Sequence, residues 1–358
     1  MSEHGAGAAS ADDRLVLLAR RLPKAELHMH LTGSLSPAEF IRFTTLDEGR
    51  DPSHADVARA YDNRGPEKFF TDLDRAARLW SDPARLAEAA TRVIDSAFDH
   101  GARHLELLCT PSLSRQQAGI PILTSLKAVE AAFESARGRL GLTGGVVVEL
   151  HRPDGAEGAL EVVEAAIVLR DRGLGILGVG NDGNHRLAPL EPLAPAYRRA
   201  KEAGLRLTGH AMSPDDVLFA LDIGFDRIDH GWAIANHPQI VSRIVDAGTT
   251  LTFTPMAYTL GGHRSSISWE QAHRILSEAG VPLVIGTDDP ALHHTDLTHS
   301  YELMMRRLGW NSAQLSDAAR LSFQKRWALD GDEAAVAAHL AEIDRLEVDP
   351  RGSDIAGG

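Results

Sequence analysis

Six residues of this chain carry the types and spacings from which a reactive centre could be built. His28 and His30 stand two apart in ELHMHLTGS, His210 ends the run LRLTGH, and His230 ends RIDH just before Gly231-Trp232. Asp288 and Asp289 follow the apolar run VPLVIGT. In an extended strand residues i and i+2 share a face, so the two imidazoles of His-x-His point the same way while Leu27, Met29 and Leu31 point the other. Each piece has an ordinary reading on its own. A His-x-His pair is a weak signal, His210 could cap a helix, His230 could be a loop histidine packed by Trp232, and Asp-Asp before Pro290 could be a turn. Together they supply three imidazoles and a carboxylate (His28, His30, His210 and Asp288), a donor set that suits one divalent metal of the zinc class with a position left open for water. A metal of that kind makes bound water acidic near neutral pH. His230 is then free to orient or deprotonate the water, and Asp289 to hydrogen-bond a substrate.

The elements that must bring these residues together are legible as eight short apolar or alternating runs. They are Ala25–His30, Ala102–Leu108, Gly145–His151, Leu174–Val179, Leu205–His210, Arg227–His230, Thr249–Thr254 and Pro282–Thr287. Helical periodicity fills most of the gaps, over Arg85–His100, Ile122–Arg137, Gly158–Arg172, Leu193–Ala203, Asp215–Ile223 and Ser268–Ala279. Eight strands alternating with helices predict an α/β fold of the (β/α)8 TIM-barrel type, whose active site lies at the C-terminal ends of the strands. All six residues above fall at or just beyond such ends. The long interval Pro37–Asp82 is expected to hold extra helices over the barrel mouth, and Ser312–Phe323 and Asp332–Leu346 read as further helices at the C-terminus.

Composition narrows the field. The chain has 358 residues, 43% of them hydrophobic and 24% charged, with a net charge of −13, one cysteine and 17 histidines. Such a chain builds its own core without disulfides, and its acidity argues against a nucleic-acid or membrane partner, leaving a small-molecule substrate and, compatible with everything above, assembly with further copies of itself. Cytoplasmic location is the expectation. Residues 1–12 lack the charge and apolar run of a secretory signal and read as a flexible start, 13–347 as one barrel domain, and the Gly- and Asp-rich 348–358 as a flexible tail. No lysine occurs between Lys127 and Lys201, so no carboxylated lysine is available at the fourth strand, which favours one metal over two. Glu106 and Glu149 lie mid-strand at inward phase, where a charge needs a partner; an ion pair or a bond to a ligand histidine is expected, with His104 and His151 as candidates. GVGNDGN, residues 178–184, reads as a loop whose backbone approaches a ligand, and His185 and His293-His294 as solvated loop histidines.

The pieces PKAELHMHLTGS, HLELLCTPS, TGHAM, RIDHGW and GTDDPAL, with the Gly183 loop, occur in the order and spacing of the adenosine/adenine deaminase family of the amidohydrolase superfamily, which the chain resembles from about Leu22 to about Trp327. The resemblance implies a (β/α)8 barrel with one catalytic Zn2+ per chain, ligated by His28, His30, His210 and Asp288. It implies that His230 activates the zinc water, that Asp289 contacts a purine nitrogen, and that the backbone of Gly183 faces the ring. In the family, zinc hydroxide attacks an amino-bearing ring carbon and ammonia leaves.

The departures fall on the substrate side. The family reads His-Ala-Gly-Glu where this chain reads His210-Ala211-Met212-Ser213, and a serine hydroxyl is a poor substitute for the carboxylic acid that protonates the ring. Asp215 or Asp216 could serve in its place but more naturally cap the next helix. Thr32 stands where relatives carry an acid that contacts the substrate's tail, and Leu108 where many carry a base. Gly183, Asp289, Ser213, Thr32 and His30 are the positions expected to touch the substrate, with Ser213 and Thr32 departing from the family pattern. The reading is a zinc-dependent hydrolase of C–N bonds other than peptide bonds, working on a small heterocyclic or nucleoside-like substrate, with ordinary adenosine deamination not carried over. The alternatives are an amide, lactam or cyclic-imine hydrolase on the same metal, and a catalytically silent zinc-containing binding protein.

Overall fold

The computed structural model describes residues 11–62, 65–260, 266–329 and 331–350. Among the described residues nine parallel strand segments make the wall of the barrel. β1 (Lys24–His30), β2 (Ala102–Cys109), β3 (Thr143–His151), β4 (Ile176–Asp182) and β5 (Arg206–Leu207) pair in that order, and β6 (His210–Ala211), β7 (Arg227–His230), β8 (Thr250–Phe253) and β9 (Leu283–Ile285) pair in a second set. β5 and β6 are the two halves of the fifth apolar run, interrupted at Thr208-Gly209. The backbone still ties both sets together there: Thr208 N donates to Val179 O and Asp229 N to Gly209 O, each at 2.9 Å. Gly209 is needed at the break, because a Cβ there would lie 2.0 Å from Asn181 Nδ2.

The second seam joins the last strand to the first through a bridge rather than a ladder. Asp288 N donates to His28 O and His30 N to Asp288 O, both at 2.8 Å, just beyond the end of β9. The space between β1 and β9 below this bridge is filled by a side chain. Glu26 accepts from His28 N at 3.0 Å and from Thr287 Oγ1 at 2.9 Å, and burial pushes its carboxyl up to about 7.

Three helices (Pro37–Glu48, His54–Ala60 and Pro66–Leu79) occupy the interval after β1, as expected, and helices Ser312–Gln324 and Glu333–Val348 follow the barrel. A helix at Ala11–Arg21 was not anticipated; it begins inside the stretch read as flexible and seats Leu18 and Ala19 in the core. Residues 1–10 and 351–358 lie outside the described residues.

The outward faces of the strands and the inward faces of the helices form the apolar core. The barrel interior departs from the branched aliphatic layers usual for such barrels. Leu108, Val147, Leu177 and Trp327 form a small plug separate from the main core. Above and beside it run buried polar groups. Glu106 pairs with Arg227 at 2.7 Å and contacts His104 at 3.4 Å, and the Arg227 guanidinium lies 4.2 Å from the Trp327 ring centroid. Glu149 bonds His30 rather than His151, which turns instead to Asp154 at 3.1 Å.

Phe253, fully buried on β8, packs its ring against Tyr258, Trp269 and His273, joining the wall to two outer helices. Phe253→Ala is expected to lower stability by about 3–5 kcal/mol through the cavity left behind. Denaturant unfolding of the two proteins measures this, and a loss under about 1 kcal/mol would contradict the packing.

Candidate metal centre and its cavity

Strand ends from three sides of the barrel deliver the donors. His28 and His30 come from β1, His210 starts β6, and Asp288 sits at the β1–β9 bridge. His30 Nε2 lies 3.3 Å from His28 Nε2, 3.2 Å from His210 Nε2 and 3.3 Å from Asp288 Oδ1; His28 Nε2 is 3.5 Å from the same oxygen. Among the described residues, metal-competent groupings of side chains occur here: His28, His210, His230 and Asp288 form one, and His30 joins neighbouring ones with Glu149 and His210 and with Asp288 and Asp289.

Each imidazole is turned by a bond on its far side. His28 Nδ1 meets Thr252 Oγ1 at 2.7 Å, His30 Nδ1 meets Glu149 Oε2 at 3.1 Å, and His210 Nδ1 meets the Asn181 carbonyl at 2.5 Å. An acceptor at Nδ1 places the proton there and aims the Nε2 lone pair at the centre, as in metal-ligating histidines generally. Arg152 braces the same region, its guanidinium donating to the His210 carbonyl at 2.6 Å and to Asn181 Oδ1 at 2.9 Å.

Two residues adopt the left-handed backbone region to reach their places, His230 at φ +66 and Asp288 at φ +67. Neither is glycine, and such conformations cost on the order of 1–3 kcal/mol each, so the surrounding contacts must hold them. For Asp288 these are the seam bonds. For His230 they are the Thr254 and Tyr258 hydroxyls, 3.1 and 3.3 Å from Nδ1, which leave Nε2 3.7 Å from Asp288 Oδ2.

The two adjacent carboxyls are driven apart. Burial would raise Asp288, but bonds from His28 and His30 and the charge of His230 hold it well below the usual carboxylate range. Burial raises Asp289 well above that range, with Asp288 reinforcing the shift against the pull of His30. Burial lowers His210, as do His30 and His28, keeping it neutral. His30 moves up despite its burial because Glu149 and Asp289 attract positive charge to it, so a cation at Nε2 and a proton compete for one place.

Beside this cluster lies a cavity of about 80 Å³. His30, His210, His230, Asp288 and Asp289 face it from the strand ends. Gly183, at φ +113, lines it with Asp182 and His185 from the loop after β4, and Met212 from the loop after β6. The opposite wall is aromatic: Phe69 and Phe70 from the helix Pro66–Leu79, and His293, whose ring stacks on Phe69 at 5.6 Å and 3°. His293 is 2% exposed by side-chain packing against that helix, which corrects its expected place as a solvated loop histidine. Phe69 and Phe70 went unnoticed in the sequence because an aromatic pair on an amphipathic helix reads as core.

Ser213 does not line the cavity. It is the N-cap of the helix Pro214–Ile223, its hydroxyl accepting from Asp216 N at 3.1 Å while the Asp216 carboxylate accepts from Ser213 N at 3.3 Å. Asp216 is thus committed to the cap, and Asp215 is exposed. Thr32 lies apart from the cavity too, in a short 3-10 turn bordering a small hollow with Tyr61, Asp72 and Arg75. Leu108 belongs to the plug inside the barrel.

Residues 23–343 match the sequence model of the adenosine deaminase family. An adenine deaminase of Cupriavidus metallidurans is 29% identical over 340 residues, covering 91% of this chain and 92% of that protein. A crystallised amidohydrolase from Burkholderia ambifaria, with bound Zn, superposes with a TM-score of 0.84 at 26% identity over 98% of this chain and 97% of its own. The adenine deaminase of Arthrobacter aurescens shares the fold with a TM-score of 0.80 at 23% identity, over 90% and 98% of the two chains. With nine-tenths of its length inside one family model and the donor cluster at the strand ends of the shared barrel, the chain belongs to the adenosine deaminase family.

Proposed function

We propose that the protein is a zinc-dependent hydrolytic deaminase of a small planar nitrogen heterocycle, with one zinc held by His28, His30, His210 and Asp288. The observation that carries this reading is the spacing of the donors. Zn–N bonds of about 2.0–2.1 Å in a tetrahedral site set donor–donor edges of about 3.4 Å; His30 lies 3.2–3.3 Å from His28, His210 and Asp288, and His28 lies 3.5 Å from Asp288. Three imidazole lone pairs and a carboxylate at that spacing repel unless a cation or shared protons lie between them.

Zinc bound there supplies Lewis acidity and makes water a nucleophile near neutral pH. The chain's own residues do the rest. His230 accepts a proton at Nε2 while its Nδ1 side stays anchored by Thr254 and Tyr258. Asp289, buried against the cavity, hydrogen-bonds a ring nitrogen, and the Gly183 backbone lies along another edge of the ring. Phe69 and Phe70 exclude water and offer apolar surface to a flat substrate. The adenine deaminases among the relatives make adenine the first compound to try.

Position 213 separates this chain from simple adenosine chemistry. With its hydroxyl and Asp216 occupied in a helix cap, no carboxylic acid from that loop reaches the cavity. That favours substrates whose ring is already protonated or needs no proton, and it keeps hydrolysis of a cyclic imine or lactam at the same centre as the second reading.

Ammonia release by zinc-loaded protein across purines, pterins, pyrimidines and cyclic amidines is the deciding experiment. Release from at least one free heterocycle is expected, with about one zinc per chain by elemental analysis; two metals, or none, would contradict the donor assignment. His230→Ala should retain the zinc and lose about 10²–10⁴-fold in turnover, the range of a general base. Loss of zinc along with activity would make His230 a ligand instead.

Native turnover of adenosine should stay below a kcat of about 10 s⁻¹, the ordinary enzyme median. Ser213→Ala should cost about 1 kcal/mol of stability as a lost N-cap and leave turnover of the native substrate nearly unchanged. Ser213→Glu should give at most a weak gain on adenosine. Robust adenosine deamination by the native protein would refute this reading of position 213.

A further inference from the structure

Two of the three imidazoles at the centre are turned by direct acceptors, a carboxylate for His30 and a backbone carbonyl for His210. His28 is turned differently. Its Nδ1 lies 3.8 Å from the Asp229 carboxylate, beyond hydrogen-bonding reach, and a hydroxyl stands between: Thr252 Oγ1 is 2.7 Å from His28 Nδ1 and 2.9 Å from Asp229 Oδ1. All three side chains are fully buried. From this we infer that Thr252 is a positioning residue that holds His28 in its Nδ1–H tautomer, as the last link of a buried relay running from Arg227 through Asp229 to the metal centre.

The proton count of the hydroxyl fixes the direction of these bonds. A threonine hydroxyl has a single proton and two lone pairs. The Asp229 carboxylate takes that proton on Oδ1, just as it takes the Thr208 proton on Oδ2 at 2.8 Å. With its proton committed, Thr252 can only accept from His28, so the imidazole proton sits on Nδ1 and the Nε2 lone pair is bare. Arg227 stabilises the negative end of the chain. Its guanidinium bonds Glu106 at 2.7 Å, and its Nε lies 4.0 Å from Asp229 Oδ1. Glu106, Arg227, Asp229 and Thr252 come from β2, β7 and β8, and none of them lines the cavity.

The inference rests on His28 being a metal ligand, as proposed above, and makes a distinction that general destabilisation would not. Thr208 and Thr252 are both buried, and each gives one hydroxyl to Asp229, but only Thr252 also meets His28. Thr252→Val should therefore weaken zinc binding about 10–100-fold in a chelator competition, the usual effect of losing a group that orients a ligand. Thr208→Val should change zinc affinity less than about threefold, and Thr252→Ser should restore it.

Imidazole ¹⁵N shifts of the metal-free protein supply the second readout: the Nδ1–H form of His28 in the unaltered chain and in Thr252→Ser, and a tautomer mixture in Thr252→Val. Equal loss of zinc affinity in both valine variants would overturn the inference, as would unchanged affinity in Thr252→Val. If Thr252→Val does not fold, the ¹⁵N spectrum of the unaltered chain still decides, because an Nε2–H signal for His28 sinks the proposal. Unaltered protein that shows the Nδ1–H form yet binds no zinc would refute the metal assignment and support the relay.

Discussion

Everything at the mouth of this barrel follows from the cost of gathering imidazole nitrogens and a carboxylate oxygen in a buried site, with His30 Nε2 3.2–3.3 Å from the nearest nitrogens of His28 and His210 and from Asp288 Oδ1. Lone pairs facing lone pairs gain nothing from their own contact, so the arrangement must be imposed from behind. Each ring is held by a bond at Nδ1, and the three holders come from three different strands: Thr252 on β8, Glu149 on β3 and Asn181 on β4. The barrel is the device that makes this possible, because strands far apart in sequence end within a few ångström of each other on its rim. It also explains why the interior is polar where other barrels are aliphatic. Glu106, Arg227, Asp229, Thr208 and Thr252 give up apolar packing to support groups that must not move.

The same requirement shapes the backbone. Asp288 and His230 both leave the strand conformation for the left-handed region, and both do so at the point where a side chain must turn into the cluster. Asp288 combines two duties, since its N–H and C=O make the bonds that join the last strand to the first while its carboxylate joins the donor set. Loss of the seam would displace that carboxylate. Glu26, its carboxyl pushed up to about 7 by burial, fills the gap beneath with bonds from His28 N and Thr287 Oγ1. Fold closure and site geometry are thus one structure at this seam.

The far wall of the cavity comes from outside the strands. Phe69, Phe70 and His293 come from a helix of the long interval after β1 and from the loop after β9, and Met212 from the loop after β6. Of the clustered donors, His28, His30 and His210 sit on the strands and Asp288 just beyond β9 at the seam. The remaining cavity wall sits largely on loops and the added helix, where sequence can change without disturbing the strand ends. Ser213 shows how a loop residue beside the site can serve the scaffold, because it caps the start of Pro214–Ile223.

The amino-acid sequence by itself determined the barrel, the order of its strands and the six residues at the strand ends. Strand periodicity of two makes His28 and His30 share a face, and apolar runs bounded by turns mark where strands stop. It also carried the statement that Glu106 and Glu149 need partners, because a buried charge without one is prohibitive whatever the fold. Which partners they take was decided only in three dimensions. His151 shares the strand and phase of Glu149 yet turns to Asp154, while Glu149 reaches across to His30, 119 residues away. Arg227, Asp229 and Thr252 carry no local signal, since a threonine that accepts from one imidazole looks in sequence like any β-branched strand residue. His293 looks like a polar loop residue until the helix Pro66–Leu79 folds over it. Local periodicity encodes which way a side chain faces, but the distance to a residue two hundred positions away is set only when the barrel closes.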